Sequence, residues 1–393
     1  MSAALDVYRE STRVGRLERT RHGSVFSYDA TFLDAPGDEG IAVHLPKTRE
    51  RIATVGVNLH TFFAGLLPEG ARLRAMVRRL KASEDDLFTL LASSGSDCIG
   101  DIAVAKAGEP LPDIVPTVEV DALERVVFAD LFARSITQSG REPLIPGVQE
   151  KISASMISFP VRGTAAAWIL KLEPAEAPKL VENEAYFLEM ARKVGIPVPP
   201  FQLVHDAKAR PGLLVERFDR VVEAGVVRKL HQEDACQLLD RYPADKYQLG
   251  SSDLMQALDV CSAPVAEKAK LFRLLVFSYL IGNGDLHAKN ASVRTRLDGI
   301  VELSPAYDIL STFPYGDRHM ALRVDARDDN LRRAQLVKFA ARHGLREPAV
   351  LSVIDAIVEA APMIAEGVAR IGFEPKKTEA LRRLIAKRAR DLA

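Results

Sequence analysis

The chain has 393 residues and a mass of 43.1 kDa, which at about 150 residues per domain corresponds to two or three domains. Basic and acidic residues number 53 each, so the formal net charge is zero and no global field attracts the chain to nucleic acid or to an anionic membrane. Hydrophobic residues make up 47% of the chain, which excludes a disordered or low-complexity protein. The sequence therefore predicts a folded protein with a large core.

The compartment is inferred from cysteines and apolar runs. The three cysteines stand singly, outside any Cys-x-x-Cys pattern, which argues against a disulfide framework or a cysteine zinc site. Asp6 and Glu10 lie where a secretory signal would need an apolar run. The longest apolar stretch, residues 271–281, is short for a membrane span and contains Arg273. We therefore expect a cytoplasmic protein without a membrane partner.

Residues 1–108 are predicted to form a mixed N-terminal module. Apolar residues alternate at residues 3–8 and 40–45, which is typical of strands. Helical spacing follows at residues 59–67, 72–80 and 85–91. The proline-rich tract at residues 108–116 cannot continue a helix, and we place a domain boundary there.

Residues 109–220 are predicted to form a small lobe that contains a sheet, and residues 221–393 a mostly helical lobe. In the small lobe, periodicity predicts helices near residues 121–134 and 180–194 and strands at residues 154–160, 167–172, 201–204 and 212–218. In the helical lobe, a strand pair is predicted around residues 291–303. The predicted fold class is α+β, with a small lobe, a mostly helical lobe and a cleft between them.

The most informative segment is Gly-Asn-Gly-Asp-Leu-His-Ala-Lys-Asn at residues 282–290, directly after the apolar helix. Its glycines permit a sharp turn, and Asp285 precedes Asn290 by five residues, which is the spacing of a kinase catalytic loop. Phosphoryl transfer needs a carboxylate that orients an attacking hydroxyl and a neutral oxygen ligand for Mg²⁺. The segment therefore predicts Asp285 as catalytic base and Asn290 as a metal ligand.

A second carboxylate is expected shortly after such a loop, where it bridges the metal to the nucleotide phosphates. Asp308 lies 18 residues after Asn290, beyond the predicted strand pair. The position of Asp308 after the loop, and its separation from Asn290 along the chain, predict that it is the second metal ligand.

The small lobe should supply a lysine on a strand and a glutamate on a helix. Lys171 lies on the predicted strand at residues 167–172. Glu184 falls on the apolar face of the next predicted helix, where an unpaired carboxylate would be costly by several kcal/mol. We therefore predict an ion pair between Lys171 and Glu184.

Taken together, these segments resemble the HipA family of bacterial serine/threonine kinases, which are the toxins of toxin–antitoxin pairs. The resemblance rests on ordered motifs along most of the chain. They are Gly-Leu-Leu-Pro-Glu-Gly at 65–70, Gly-Val-Gln-Glu-Lys at 147–151, the strand with Lys171, Glu-Arg-Phe-Asp-Arg at 216–220, residues 283–290 and Pro-Ala-Tyr-Asp at 305–308.

The resemblance implies a two-lobed, protein-kinase-like fold that binds ATP and Mg²⁺ in the cleft. It implies Asp285 as catalytic base, Asn290 and Asp308 as magnesium ligands, and Lys171 on the phosphates. Further residues are implied at the nucleotide: the loop Pro146, Gly147, Val148, Gln149, Glu150 and Lys151; the hinge Glu216, Arg217 and Phe218; Asp219 and His287 near the ribose; and Glu184, Lys289 and Tyr307.

The resemblance also implies partners. These are a small helix-turn-helix antitoxin similar to HipB, operator DNA reached mainly through that antitoxin, and a protein substrate such as an aminoacyl-tRNA synthetase.

One departure from the family concerns self-inactivation. In several members, phosphorylation of a serine just before the loop glycine ejects the loop, whereas here no serine or threonine lies at residues 140–152. We therefore expect this form of self-inactivation to be absent or displaced.

Two other functions are compatible with the sequence. Gly-Asp-Leu-His at residues 284–287 also fits small-molecule kinases of the aminoglycoside type. A non-catalytic co-repressor that binds its antitoxin and DNA is the alternative from another class.

Overall fold

The computed structural model describes residues 3–37, 39–56, 59–111, 118–131, 156–162, 166–174, 176–223 and 225–393. Within these residues the chain forms four hydrophobic clusters: one in the N-terminal module, one around the small-lobe sheet, a large one in the helical lobe, and a small one of Ala177, Leu180 and Leu310.

The N-terminal module is an antiparallel sheet with short helices packed against it. The sheet runs in the order β4-β3-β2-β1-β5. Its strands are β1 (Ala4–Arg9), β2 (Thr12–Thr20), β3 (Gly23–Tyr28), β4 (Ile52–Val55) and β5 (Ile102–Lys106). The helices are α1 (Ala30–Asp34), α2 (Thr61–Gly65), α3 (Gly70–Leu80) and α4 (Leu87–Ser94). Alternate strand residues point to the same face, which buries Leu5, Val7 and Phe26 in the core of the module. The helix α2 adds Phe62 and Phe63 to that core.

The small lobe is built on a second sheet in the order β6-β7-β8-β10-β9. Its strands are β6 (Val118–Glu119), β7 (Ile157–Arg162), β8 (Ala167–Leu172), β9 (Phe201–His205) and β10 (Pro211–Glu216). The helix α5 (Leu180–Lys193) crosses between β8 and β9 and packs on β10. Lys171 on β8 lies opposite Leu213 on β10, so its strand is central in the sheet.

The helical lobe starts with two small strand groups. The first is the hairpin of β11 (Arg220–Glu223) and β12 (Val226–Lys229), and the second is the sheet β13 (Gln232–Asp234), β14 (Ser292–Thr295) and β15 (Val301–Leu303). The helices are α6 (Ala235–Leu238), α7 (Ser251–Ala257), α8 (Pro264–Ile281), α9 (Arg333–Arg342), α10 (Glu347–Gly367) and α11 (Pro375–Leu392). The C-terminal half of α8 is buried on all sides and packs against α10 and α11. It therefore fixes the position of the loop that follows it.

Most predicted elements are present, one is absent and one is divided. Residues 40–45 form no strand but a turn closed by an isolated bridge between Ala42 and Leu45. The predicted helix at residues 121–134 is divided: a 3-10 helix, Val120–Arg125, is followed by α-helical residues at 128–131, and residues 132–134 lie outside the described residues. The strand predicted at 154–160 is β7, which starts at Ile157 within the described residues.

Among the described residues, the helical segment Glu347–Ile371 is long and apolar enough to cross a membrane by length and composition alone. The test is weak, because core helices of soluble proteins also pass it. In this chain, Val353, Ile354, Ile357 and Ile364 on that segment are buried in the helical-lobe core.

Candidate active site

Lys171 joins the small lobe to the segment that carries Asp308. Its ammonium nitrogen lies 2.6 Å from Glu184 Oε1 on α5 and also contacts the Asp308 carboxylate. The predicted ion pair with Glu184 is therefore present. Burial opposes the charge on Lys171, but Asp308 and Glu184 raise its pKa above the usual value. Burial also raises the pKa of Glu184, and Lys171 offsets this only in part.

The loop at residues 282–290 starts where α8 ends. Gly282 caps the helix in the left-handed conformation, with φ +73°, which favours glycine. A Cβ on Gly284 would lie 2.5 Å from Asp317 Oδ2 and from the carbonyl of His319, so this position needs a residue without a side chain. The Gly284 amide donates to the Thr312 hydroxyl at 2.8 Å. Both glycines of the predicted motif therefore serve the turn that presents Asp285.

Asp285 is 6% exposed and is held from two directions. Its amide donates to Asn283 Oδ1 at 3.0 Å, and its carboxylate accepts a hydrogen bond from the Tyr247 hydroxyl at 2.8 Å. Burial and the adjacent Asp285 carboxylate raise the pKa of Tyr247 well above its usual value, so Tyr247 is a hydrogen-bond donor at neutral pH. Sequence reasoning missed Tyr247, because no motif surrounds it and it lies 38 residues before Asp285.

Asn290 and Asp308 lie side by side, as predicted for ligands of one metal ion. Asn290 Nδ2 donates to Asp308 Oδ2 at 3.1 Å, and Asn290 Oδ1 accepts from the His287 amide at 3.0 Å. Asp308 has φ +55°, a conformation that aspartate tolerates better than most residues. The Asp308 side chain is 37% exposed.

These two side chains fit a magnesium ion that is completed by phosphates and water. No group of three or more histidine, cysteine or acidic side chains suited to a metal occurs in the described part of the chain. Mg²⁺ commonly takes only one or two protein oxygens and keeps the phosphates and water as its other ligands. Asp308 offers a partly exposed carboxylate, and the amide oxygen of Asn290 keeps a second lone pair. The donor set therefore suits a nucleotide-bound Mg²⁺ and not an all-protein metal cage.

Arg217 and Asp219 have partners at the junction with the N-terminal module. Asp219 lies 2.8 Å from both Arg217 and Arg220 and accepts from the Gly100 amide at 2.9 Å. Arg217 also lies 3.2 Å from Asp97. Burial raises the pKa of Asp219, but Arg217 outweighs it and lowers that pKa to about 2. These side chains therefore form an ion cluster with the N-terminal module, and the hinge role of Arg217 and the ribose role of Asp219 stay predictions.

Lys289 also connects the loop to the N-terminal module. Its ammonium pairs with Asp234 and donates to the Gly65 carbonyl at 3.2 Å. Its side chain is only 10% exposed. The nucleotide contact of Lys289 stays a prediction.

The other predicted nucleotide residues lie around the loop. The Phe218 and Tyr307 rings have centroids 5.5 Å apart, and the Tyr307 hydroxyl donates to the Lys289 carbonyl at 2.6 Å. Glu216 ends β10 and is partly buried, which raises its pKa. The buried His287 ring meets the Tyr247 ring edge-on at 5.1 Å. The predicted loop Pro146–Lys151 lies outside the described residues.

Comparison with known proteins identifies the family. Residues 144–365 match the HipA-like C-terminal domain, and residues 5–105 match the HipA N-terminal domain. Among curated relatives, "Putative kinase Y4mE" of Sinorhizobium fredii is 33% identical over 345 residues, which cover 82% of this chain and 81% of the relative. The "Serine/threonine-protein kinase toxin HipA" of Shewanella oneidensis is 28% identical over 333 residues, which cover 78% of this chain and 76% of the relative.

The fold agrees with these matches. The Shewanella oneidensis HipA chain, solved with HipB and operator DNA, superposes with a TM-score of 0.78 at 22% identity. The superposition covers 99% of this chain and 97% of that chain. The predicted α+β fold is confirmed, and the chain belongs to the HipA family.

Proposed function

We propose that this chain is an ATP-dependent serine/threonine protein kinase that acts as the toxin of a toxin–antitoxin pair. One observation carries the proposal. Lys171 is paired with Glu184 and also contacts Asp308. Asp308 in turn contacts Asn290, which lies on the same loop as Asp285. These are the side chains that a kinase needs at the phosphates, the metal and the attacking hydroxyl. Relatives named as kinases over about four-fifths of the chain support the same reaction.

The proposed mechanism assigns a task to each side chain. Lys171 binds the nucleotide phosphates, and Glu184 keeps the lysine aligned from the buried side. Asn290 and Asp308 would hold Mg²⁺, which would supply charge neutralisation at the phosphates when bound. Asp285 orients a serine or threonine hydroxyl and accepts its proton. Glu216 and Phe218 remain candidates for the adenine contact, and His287 for the ribose.

The proposed partners follow from relatives. The Shewanella oneidensis HipA was solved in complex with HipB and operator DNA, which supports a small HipB-like antitoxin for this chain, with DNA reached mainly through it. For the substrate we propose a cytoplasmic bacterial protein such as an aminoacyl-tRNA synthetase, whose modification would inhibit translation and growth.

The test is transfer of radiolabelled γ-phosphate from ATP and Mg²⁺, with wild type and Asp285→Asn compared in a bacterial lysate. Loss of the base should lower the rate by roughly 100- to 10,000-fold, while circular dichroism and ATP binding remain unchanged. A protein band labelled by wild type alone supports the proposal, and mass spectrometry then identifies the substrate. Label on small molecules alone would indicate a small-molecule kinase. ATP binding without any transfer would indicate a non-catalytic partner of the antitoxin.

Phosphosite mapping of the active protein tests the expectation on self-inactivation. We expect no stoichiometric phosphate within residues 139–153. Phosphate there, together with loss of ATP binding, would show that the switch is retained.

A further inference from the structure

Tyr247 contacts the proposed catalytic base directly. Its hydroxyl donates to Asp285 Oδ1 at 2.8 Å, and its ring packs edge-on against His287. A general base must present its carboxylate in one direction toward the acceptor hydroxyl. A phenol that binds one carboxylate oxygen restricts rotation of the carboxylate about its Cβ–Cγ bond. Tyr247 can therefore set the orientation of Asp285.

The residue before Tyr247 connects it to the N-terminal module. Lys246 Nζ lies 3.1 Å from Glu69 Oε2 of that module and 5.2 Å from the centroid of the Tyr247 ring. The Lys246 carbonyl also accepts a hydrogen bond from the Ala288 amide in the catalytic loop. The Lys246 side chain is 13% exposed and the Glu69 side chain is 33% exposed, so the ion pair is screened less than a fully exposed pair and more than a buried one. Glu69 thus restrains the segment that holds Asp285.

A second contact reaches the same loop from the same part of the module. Lys289 donates to the Gly65 carbonyl at 3.2 Å. Gly65 is packed so closely on the helical lobe that a Cβ there would lie 2.6 Å from the side chain of Gln237. Gly65 therefore contacts Lys289, in the loop that carries Asp285. Glu69 contacts Lys246, which precedes the tyrosine that binds Asp285.

We propose that Tyr247 is a positioning residue for Asp285 and that the N-terminal module maintains this position through the Glu69–Lys246 ion pair. The module is then a working part of the active site, in addition to any role in binding an antitoxin. The inference rests on the proposed kinase function, and its test is separable from that function.

Tyr247→Phe removes the hydroxyl and keeps the ring against His287. Because a hydrogen bond to a charged group is lost, we expect kcat to fall about 10- to 100-fold. The KM for ATP and the ATP affinity should stay within about twofold, since Tyr247 contacts the base and not Lys171. An unchanged kcat would overturn the proposal. A raised kcat would also overturn it, because Tyr247 would then be competing with the acceptor hydroxyl.

Glu69→Gln tests the role of the module, and Glu10→Gln is its matched control. Glu10 also joins the module to the helical lobe, through Arg228 at 2.9 Å, but both side chains are partly exposed and lie on the β11–β12 hairpin side. We expect kcat to fall about three- to tenfold in Glu69→Gln and to be unchanged in Glu10→Gln. The double variant Tyr247→Phe, Glu69→Gln should be no slower than Tyr247→Phe alone, because both changes act on one contact. Additive losses would overturn the connection between the module and Tyr247.

Hydrogen exchange gives a readout that does not need activity. The peptide covering residues 282–290 should exchange faster in Tyr247→Phe and in Glu69→Gln than in wild type or Glu10→Gln. If wild type transfers no phosphate to any acceptor, the proposed function fails and exchange alone decides this inference. Equal exchange in all four proteins would overturn it, whatever the activity.

Discussion

His231 lies at the junction between the N-terminal module and the helical lobe, and replacing it by glutamine should lower the free energy of unfolding near pH 6 by about 3 kcal/mol. His231 Nδ1 lies 2.9 Å from Asp101 of the module, and Nε2 lies 3.1 Å from Glu233 on β13. Arg9 also faces this site and lies 3.0 Å from Asp101. The His231 side chain is 22% exposed, and both carboxylates are buried.

The pKa of the His231 imidazole sets the size of this stability difference and its direction with pH. Burial alone would lower that pKa, but the hydrogen bonds and charges of Asp101 and Glu233 raise it to about 9 from 6.5. A pKa raised in the folded state stabilises the protein fully below about pH 6.5, and the contribution is lost as the pH rises through about 9. A difference of about 2.5 pKa units corresponds to about 3 kcal/mol. Asp101 keeps Arg9 as a partner at high pH, so we expect weakening and not unfolding.

The measurement is urea unfolding of wild type and His231→Gln at about pH 6 and about pH 10. The other titrating groups are common to both proteins and cancel in the difference. We expect wild type to be the more stable protein by about 3 kcal/mol at the lower pH and the difference to vanish at the higher pH. A difference that does not change with pH would refute the assignment of a charged imidazole at this junction.

Two further substitutions test the contacts between the module and the helical lobe. Asp219→Asn removes the charge that two buried arginines share. We expect the free energy of unfolding, measured with urea, to fall by about 2 to 4 kcal/mol and the ATP affinity to stay within about twofold. Weaker ATP binding at unchanged stability would instead support the ribose role of Asp219. Gly65→Ala places a methyl group against Gln237, whose side chain is fixed by hydrogen bonds to Phe62 and Asp234. We expect thermal unfolding to show that the protein is less stable by about 1 to 3 kcal/mol. An unchanged midpoint would mean that the module and the helical lobe can move apart at Gly65 and Gln237 without a loss of stability.

The sequence predicted the ion pair and the loop because their signals are local. Glu184 lies on an apolar helix face, and a carboxylate there requires a partner, which Lys171 supplies 13 residues earlier. Asp285 and Asn290 share one turn, and the glycines that shape it are part of the same motif. Short spacing, turn chemistry and burial were sufficient for these residues.

Contacts between distant segments could not be predicted in this way. Glu69 and Lys246 are separated by 177 residues, and their meeting depends on how the module packs on the helical lobe. Residues 40–45 illustrate a different limit. Ile41 and Leu45 are fully buried, but Val43, which the alternation places on the same face, is 46% exposed, so the alternation indicates the burial of only two of these three residues. It does not indicate a strand, because the ladder also needs a partner segment with unpaired backbone groups.

The motif at residues 216–220 shows how one segment can serve two sites. Its side chains alternate in their contacts: Phe218 packs toward Tyr307 beside the catalytic loop, whereas Arg217 and Asp219 join the ion cluster with Asp97 of the N-terminal module. These residues are consecutive, so the ion cluster with the module lies directly beside Phe218 in the chain. The contact between Glu69 and Lys246 lies beside Tyr247, the residue that binds Asp285. The module therefore contacts the candidate site at two places, the segment at residues 216–220 and the segment at residues 246–247. The first contact consists of buried charges, whose separation would leave an unpaired charge in the interior.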